Sequence, residues 1–313
     1  MERPLCPQPG ALVAPARVLA LGRAPEFSPR HVEADAAILV AVADHLGERG
    51  IEVRCVSEAD WLAGADADAP LPDVVLSMGR RLATCLRLEQ MERRGCRVLN
   101  RPQGVRHVLS RELTFDLLSA AGIPVPAYWA YDPEDDRMFQ TDAELCALLP
   151  AWVKSSTGHG AGEQDVAFAA TALEADALVL ERIAKRVPDV VVMSHAPGDL
   201  VKAYVVLEPG AERVALFHWF YPQRAGYSKY GLERHNDALR FTPFDDGALR
   251  HLGLRIAQAT GLEIFGFDAV IGPDGQPSVI DVNDWPSFSP CREAAAGAIV
   301  RLLCALPQPA PSA

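Results

Sequence analysis

No C-x-x-C pair occurs among the 7 cysteines of this sequence. Cys6, Cys55, Cys85, Cys96, Cys146, Cys291 and Cys304 are scattered and odd in number. That argues against a disulfide framework or a structural zinc site and points to a reducing, cytoplasmic setting. No apolar run reaches the length of a membrane span. The start, MERPLCPQPGALVAPAR, lacks the compact apolar segment of a secretory leader. Positive charge is also short: 30 Lys and Arg stand against 41 Asp and Glu, a formal net charge of -11. A phosphate backbone demands a basic surface, so the expected partner is a small molecule and not nucleic acid. Neither a Walker A pattern nor a G-x-G-x-x-G after the first strand is present, since LGRAPEFSPR follows it. No Ser-His-Asp or Cys-His order suggests a covalent nucleophile. Oligomeric state is not legible.

What is present fits a chain of about two domains with a large core: 313 residues, 49% of them hydrophobic. The first third alternates strand and helix. ARVLALG, IEVRCV, LPDVVLSMG and RVLN read as strands, and HVEADAAILVAVADHLGERG and RRLATCLRLEQMERRG as helices. This alternation predicts a parallel α/β domain over residues 14–108. A helix, SRELTFDLLSAAG, opens a second unit over 109–205 that is mostly strands. A third unit over 206–306 holds ERVALFHWFY, a helix, the strand pair IFGFDAVI and PSVIDVN, and a closing helix. Residues 1–13 and 307–313 are proline-rich and predicted to be flexible tails.

The strand pair carries the first chemistry. GPDG between the strands is a turn, with Pro where φ must be near −65° and Gly to close. A loop from Pro273 to Gln276 pairs Gly272 with Pro277 and sets Asp268 directly opposite Asp281. Side chains alternate along a strand, so Asn283 shares the face of Asp281. Facing carboxylates repel unless a cation joins them, and few, hard oxygen ligands suit Mg²⁺. The bland alternative is a polar strand end with an Asx turn at Asn283.

A second feature is WVKSSTGHGAGEQDVAF, where Lys154 ends an apolar strand ahead of Gly158, Gly160 and Gly162. Glycines let backbone N–H groups approach phosphate oxygens, and a lysine adds a point charge. Alone, this reads rather as a flexible connection between strands.

The order of these pieces, from about residue 16 to about residue 304, resembles the ATP-grasp superfamily. Within it the chain looks most like the inositol trisphosphate 5/6-kinases, also called inositol tetrakisphosphate 1-kinases. Their Lys-x-x-x-x-His-Gly motif is matched by Lys154 and His159-Gly160, and their Lys-x-Tyr/Phe-Val-Val strand by Lys202-Ala-Tyr-Val-Val. Their Phe-Gly-x-Asp and Val-Ile-Asp-x-Asn-x-x-Pro strands are matched by Phe265 to Asp268 and by Val279 to Pro286. The resemblance implies a parallel α/β domain followed by an ATP-grasp pair of α+β subdomains that sandwich ATP. It implies that Arg111 and Lys154 hold ATP phosphates, and that Gly160 lies in the phosphate loop. Asp268, Asp281 and Asn283 would bind Mg²⁺. Met193, Ser194, His195 and Ala196 would form the hinge that reads adenine. His159 and Lys202 would face the acceptor, with Lys229 and Arg234 approaching the transferred phosphate.

Two reactions share this machinery. The His-Gly and Lys-x-Tyr-Val-Val motifs favour phosphoryl transfer to a hydroxyl such as that of an inositol phosphate or polyol. Gln164, where those kinases carry a second histidine, and the acidic net charge favour a carboxylate–amine ligase working through an acyl phosphate. The sequence places the kinase slightly ahead. Arg292 reads either as a phosphate contact or as a partner for Asp284 or Glu293.

Overall fold

The computed structural model describes residues 17–28, 32–65, 69–132, 134, 136–155, 166–187, 190–210, 212–224 and 238–305. The first unit contains β1 (Arg17–Gly22), α1 (Val32–Gly47), β2 (Glu52–Ser57), α2 (Glu58–Leu62), β3 (Val74–Ser77), α3 (Leu82–Arg93) and β4 (Arg97–Leu99). Its strands are parallel in the order β2-β1-β3-β4, as the alternation predicts. The run of buried residues along β1 and β3 reflects helices on both faces.

Helices α4 (Pro102–His107) and α5 (Arg111–Ala120) lead out of this unit. Ser110 caps α5 by accepting from the Leu113 N–H. The second sheet holds β5 (Tyr128–Ala130), β6 (Ala151–Ser155), β7 (Val166–Ala169) and β8 (Val190–Ser194), in the order β5-β8-β6-β7. All its pairings are antiparallel. Helices α6 (Ala143–Cys146) and α7 (Ala172–Ala184) belong to it, and a capping box between Thr171 and Glu174 starts α7.

The third sheet holds β9 (Asp199–Leu207), β10 (Val214–Phe220), β11 (Ile264–Ile271) and β12 (Pro277–Asp284), in the antiparallel order β10-β9-β11-β12. One face packs on α8 (Asp246–Thr260) through Leu249, Leu252 and Ile256. The other packs, through Tyr204, Val206 and Ile264, on α9 (Arg292–Cys304) and on α1. The closing helix therefore seals the seam between the first unit and the third sheet. No helix among the described residues is long and apolar enough to cross a membrane.

Two details correct the sequence expectations. The change of sheet falls between Ser194 and Asp199, not near residue 205, because all of β9 pairs with β10 and β11. The acidic hairpin is also wound differently. Ile271, not Gly272, faces Pro277, and Gly272 N–H donates to Gln276 O at 2.9 Å. Gly275, at φ 76°, supplies the left-handed residue this tighter turn requires. The register then shifts by one between Asp268 and Ala269, leaving Ile280 as the extra residue of a bulge. Below that bulge Asp268 faces Asp281, the pair predicted from the sequence.

Gly198 joins β8 to β9 at φ 146° with its α-carbon against the backbone carbonyl of Ile271. A Cβ there would overlap that carbonyl. Gly198→Ala is expected to lower stability by about 3 kcal/mol. A urea midpoint unchanged from wild type would contradict this close approach.

Candidate functional site

The third sheet presents its polar residues in a row. Lys202 on β9 faces Asp268 on β11, which faces Asp281 on β12. Lys202 Nζ donates to Asp268 Oδ1 at 2.8 Å and Oδ2 at 2.6 Å. Asn283 Nδ2 donates to Asp281 Oδ2 at 3.2 Å. Three strands thus bring one ammonium, two carboxylates and one carboxamide to one patch.

Two more cations arrive from outside this sheet. Lys154, at the end of β6, is 7% exposed. Its Nζ donates to Ile280 O at 3.0 Å and lies 3.5 Å from Met193 Sδ and 5.9 Å from the Phe115 ring centre. Ile280 is the residue that the bulge inserts, so the bulge and the lysine meet. Arg111, the first residue of α5, donates from Nη1 to Ser155 O. Its Nε lies 3.7 Å from Asp281 Oδ1 and is buried with no hydrogen-bond partner. Arg111 and Lys154 carry charge in a nearly water-free position, where a charge acts more strongly than on the surface.

The donor set suits a small divalent cation: two facing carboxylates and an amide, all hard oxygen donors and few in number. Among the described residues, no group of three or more His, Cys, Asp and Glu side chains gathers, which leaves softer and more crowded metal sites without support.

The expected hinge is partly committed to the fold. Ser194 N–H donates to Ala127 O and His195 N–H to Pro150 O, each at 2.8 Å. Trp152 Nε1 donates to His195 Nδ1 at 3.1 Å, and the His195 ring packs edge-on to Phe168. The His195 ring is thus held against Trp152 and Phe168, and the Met193 side chain faces Lys154. His159, Gly160, Lys229 and Arg234 lie outside the described residues, as do Gly158, Gly162 and Gln164.

The sequence reading missed a buried ion cluster behind the acidic strand. Asp284 ends β12, fully buried. Arg80 Nη1 approaches its Oδ1 at 3.0 Å without hydrogen-bond alignment, so the attraction is Coulombic. Arg23 Nη2 lies 3.4 Å from Oδ2 and donates to the carbonyls of Asp284 and Trp285 at 2.9 and 3.1 Å. Arg23 also pairs with Asp35 at 3.3 Å. Burial pushes the Arg80 guanidinium below its ordinary range, and the Asp284 charge works against that shift. Arg23 and Arg80 follow β1 and β3, so the carboxyl ends of the parallel strands dock on the end of the acidic strand. One signal was available: Asp284 alternates with Asp281 and Asn283 and so points to the opposite face, where an acid needs a partner. The two partners considered for Arg292 are engaged elsewhere, Asp284 as described and Glu293 with His45 at 3.3 Å.

Burial pushes the Cys291 thiol, the cysteine nearest in sequence to the acidic strand, up to about 11. It is protonated at neutral pH, which removes a thiolate nucleophile there. A cleft of about 860 Å³ bordered by Leu82, Glu89, Arg93 and Arg106 shares no lining residue with the acidic strand.

This architecture has known counterparts. A RimK domain ATP-grasp protein of Sphaerobacter thermophilus superposes with a TM-score of 0.64 at 24% identity, over 92% of this chain and 100% of that one. The D-alanine–D-alanine ligase of Bacillus anthracis complexed with ATP gives 0.63 at 13% identity, over 92% and 97%. The D-alanine–D-alanine ligase of Coxiella burnetii gives 0.65 at 12%, over 92% and 95%. At these identities the likeness establishes the fold. No protein-family model matches the chain. Among curated proteins, N-acetylaspartylglutamate synthase A of Mus musculus is 33% identical over 72 residues, 23% of this chain and 19% of that protein. Beta-citrylglutamate synthase B of Danio rerio is 32% identical over 72 residues, 23% of this chain and 18% of that protein. The match thus covers less than a fifth of the length of these curated relatives.

Proposed function

Starting from an ATP-grasp fold, we propose that this chain is a Mg-ATP-dependent ligase that activates a carboxylate and joins it to an amine. The observation that carries the reading is the convergence of Lys202, Asp268, Asp281 and Asn283 on one sheet with Lys154 and Arg111 brought to them from β6 and α5. Fixed cations beside facing carboxylates suit a polyphosphate and a divalent cation together.

In this reading Arg111 and Lys154 hold the phosphates. Asp268, Asp281 and Asn283 would ligate Mg²⁺, which when bound neutralises charge developing on the phosphate oxygens. Adenine would be read along the segment ending at Ala196. The Ser194 and His195 N–H groups are engaged within the sheet and are not available for that task. His159 stands as a proposed acceptor-side residue, Gly160 as part of the proposed phosphate loop, and Lys229 and Arg234 as residues proposed to approach the transferred phosphate. A substrate carboxylate oxygen attacks the γ-phosphorus and ADP leaves, giving an acyl phosphate. An amine then attacks the acyl carbon, phosphate leaves, and the amine loses a proton. The residues described supply positioning and charge neutralisation, which account for most of the catalysis in such transfers.

Support for the ligase over the kinase comes from what the chain resembles. The named neighbours are D-alanine–D-alanine ligases, synthases of glutamate-containing products and a RimK domain protein, and none of these is an inositol phosphate kinase. The His159-Gly160 spacing still favours transfer to a hydroxyl, and one experiment separates the two. Purified protein with Mg-ATP is screened against pairs of amino acids, and against inositol phosphates, with hydroxylamine present. ADP accompanied by a hydroxamate is the expected result. ADP with a new phosphomonoester and no hydroxamate would replace the ligase reading with the kinase.

A further inference from the structure

Lys202 and Asp268 hold each other unusually closely for residues of a cation site. The ammonium lies within 2.8 Å of both carboxylate oxygens, and the two side chains are only 20% and 14% exposed. Register enforces the pairing, because the residues are direct partners on adjacent strands. A divalent cation on Asp268 competes with the ammonium for the same two oxygens. Charge adds an independent argument. Among the described residues of this patch, Arg111, Lys154 and Lys202 bring three positive charges, against two negative charges from Asp268 and Asp281. A bare dication therefore approaches a site that is already net positive. A nucleotide polyphosphate carrying its cation approaches as an anion.

We propose that this site admits its divalent cation only as the metal–polyphosphate complex, with Lys202 as the interlock. Phosphate oxygens draw Lys202 Nζ away from Asp268, and the carboxylate so released takes the metal of the same ligand. One positive charge leaves Asp268 as another arrives, so no carboxylate is left buried and uncompensated. The flexible four-carbon stem of lysine lets the ammonium swing without backbone motion. The inference rests on the proposed role of Asp268, Asp281 and Asn283 as cation ligands.

The test counts free Mn²⁺ by its electron paramagnetic resonance signal, with the full chain as wild type, Lys202→Met and Lys202→Arg, each with and without ADP. Without ADP, Lys202→Met is expected to bind Mn²⁺ roughly tenfold more tightly than wild type, while Lys202→Arg stays near wild type. With ADP the order reverses, and Lys202→Met binds the Mn²⁺–ADP complex more weakly than wild type. Should Lys202→Met not fold, the wild type alone decides: equal Mn²⁺ affinity with and without ADP overturns the interlock. Equal affinity of wild type and Lys202→Met for Mn²⁺ alone, with Mn²⁺–ADP still bound, overturns the interlock and leaves the proposed function standing. No Mn²⁺ uptake by wild type even with ADP overturns the cation site itself, and the interlock with it.

Discussion

Lys154→Met is expected to cut ADP formation by about 10²–10³ while leaving a folded protein. Methionine keeps the length and much of the volume of the lysine stem, so the packing against Phe115 and Met193 survives. What goes is one hydrogen bond to Ile280 O and one cation over a ring. Together these are worth about 1–2 kcal/mol of stability. In catalysis the loss is larger, because a preorganised charge in a dry site costs no reorganisation when the phosphate develops charge. A single such donor is worth about 2.7–4 kcal/mol of barrier. ADP release and a thermal melt, measured side by side, check this. Turnover within a few-fold of wild type would remove Lys154 from the proposed phosphate clamp. Loss of the folded state would make it a structural residue first.

Asp284→Ala is expected to cost about 3–5 kcal/mol of stability, the largest effect on folding that we anticipate for a single side chain here. The substitution leaves Arg80, 2% exposed, with its charge buried and its counter-ion gone. Arg23 loses its carboxylate contact as well, although its hydrogen bonds to the Asp284 and Trp285 carbonyls remain available. The double variant Asp284→Leu with Arg80→Met removes both charges and is expected to recover much of the loss, since well-packed apolar pairs often equal a buried ion pair. Urea unfolding of Asp284→Leu, Arg80→Met and the double variant supplies the cycle. A cost below about 1 kcal/mol for Asp284→Ala would show that the cluster does not hold the first unit against the acidic strand.

Local pattern fixed much of this molecule in advance. Short apolar runs located most of the strands of the described residues, and glycine stops helped to locate the longer helices. The three-residue strand Tyr128–Ala130 and the short helices α2, α4 and α6 escaped, because segments so brief carry too little periodicity to register. The opposition of Asp268 and Asp281 was also legible, although the route to it was not. The sequence reading assumed a four-residue loop and an unbroken ladder. The chain uses a tighter turn at Gly275 and one bulged residue at Ile280, and these two one-residue displacements cancel. Two facing acids on a hairpin are a local property, so either route reveals them.

The partners of those acids were beyond local reading. Lys202, expected from the resemblance to face an acceptor, pairs with Asp268, because β9 flanks β11 on the side away from β12. Arg23 and Asp284 are 261 positions apart, and Arg23 meets Asp284 only when the carboxyl ends of β1 and β3 dock on β12. Alternation states that Asp284 turns toward the interior. It does not state which cation waits there, since that depends on how two separately patterned units pack. Sequence alone therefore determined most of the strands and the acids they carry. The tertiary structure alone decided which charges neutralise those acids, because burial makes a counter-ion necessary and only docking supplies it.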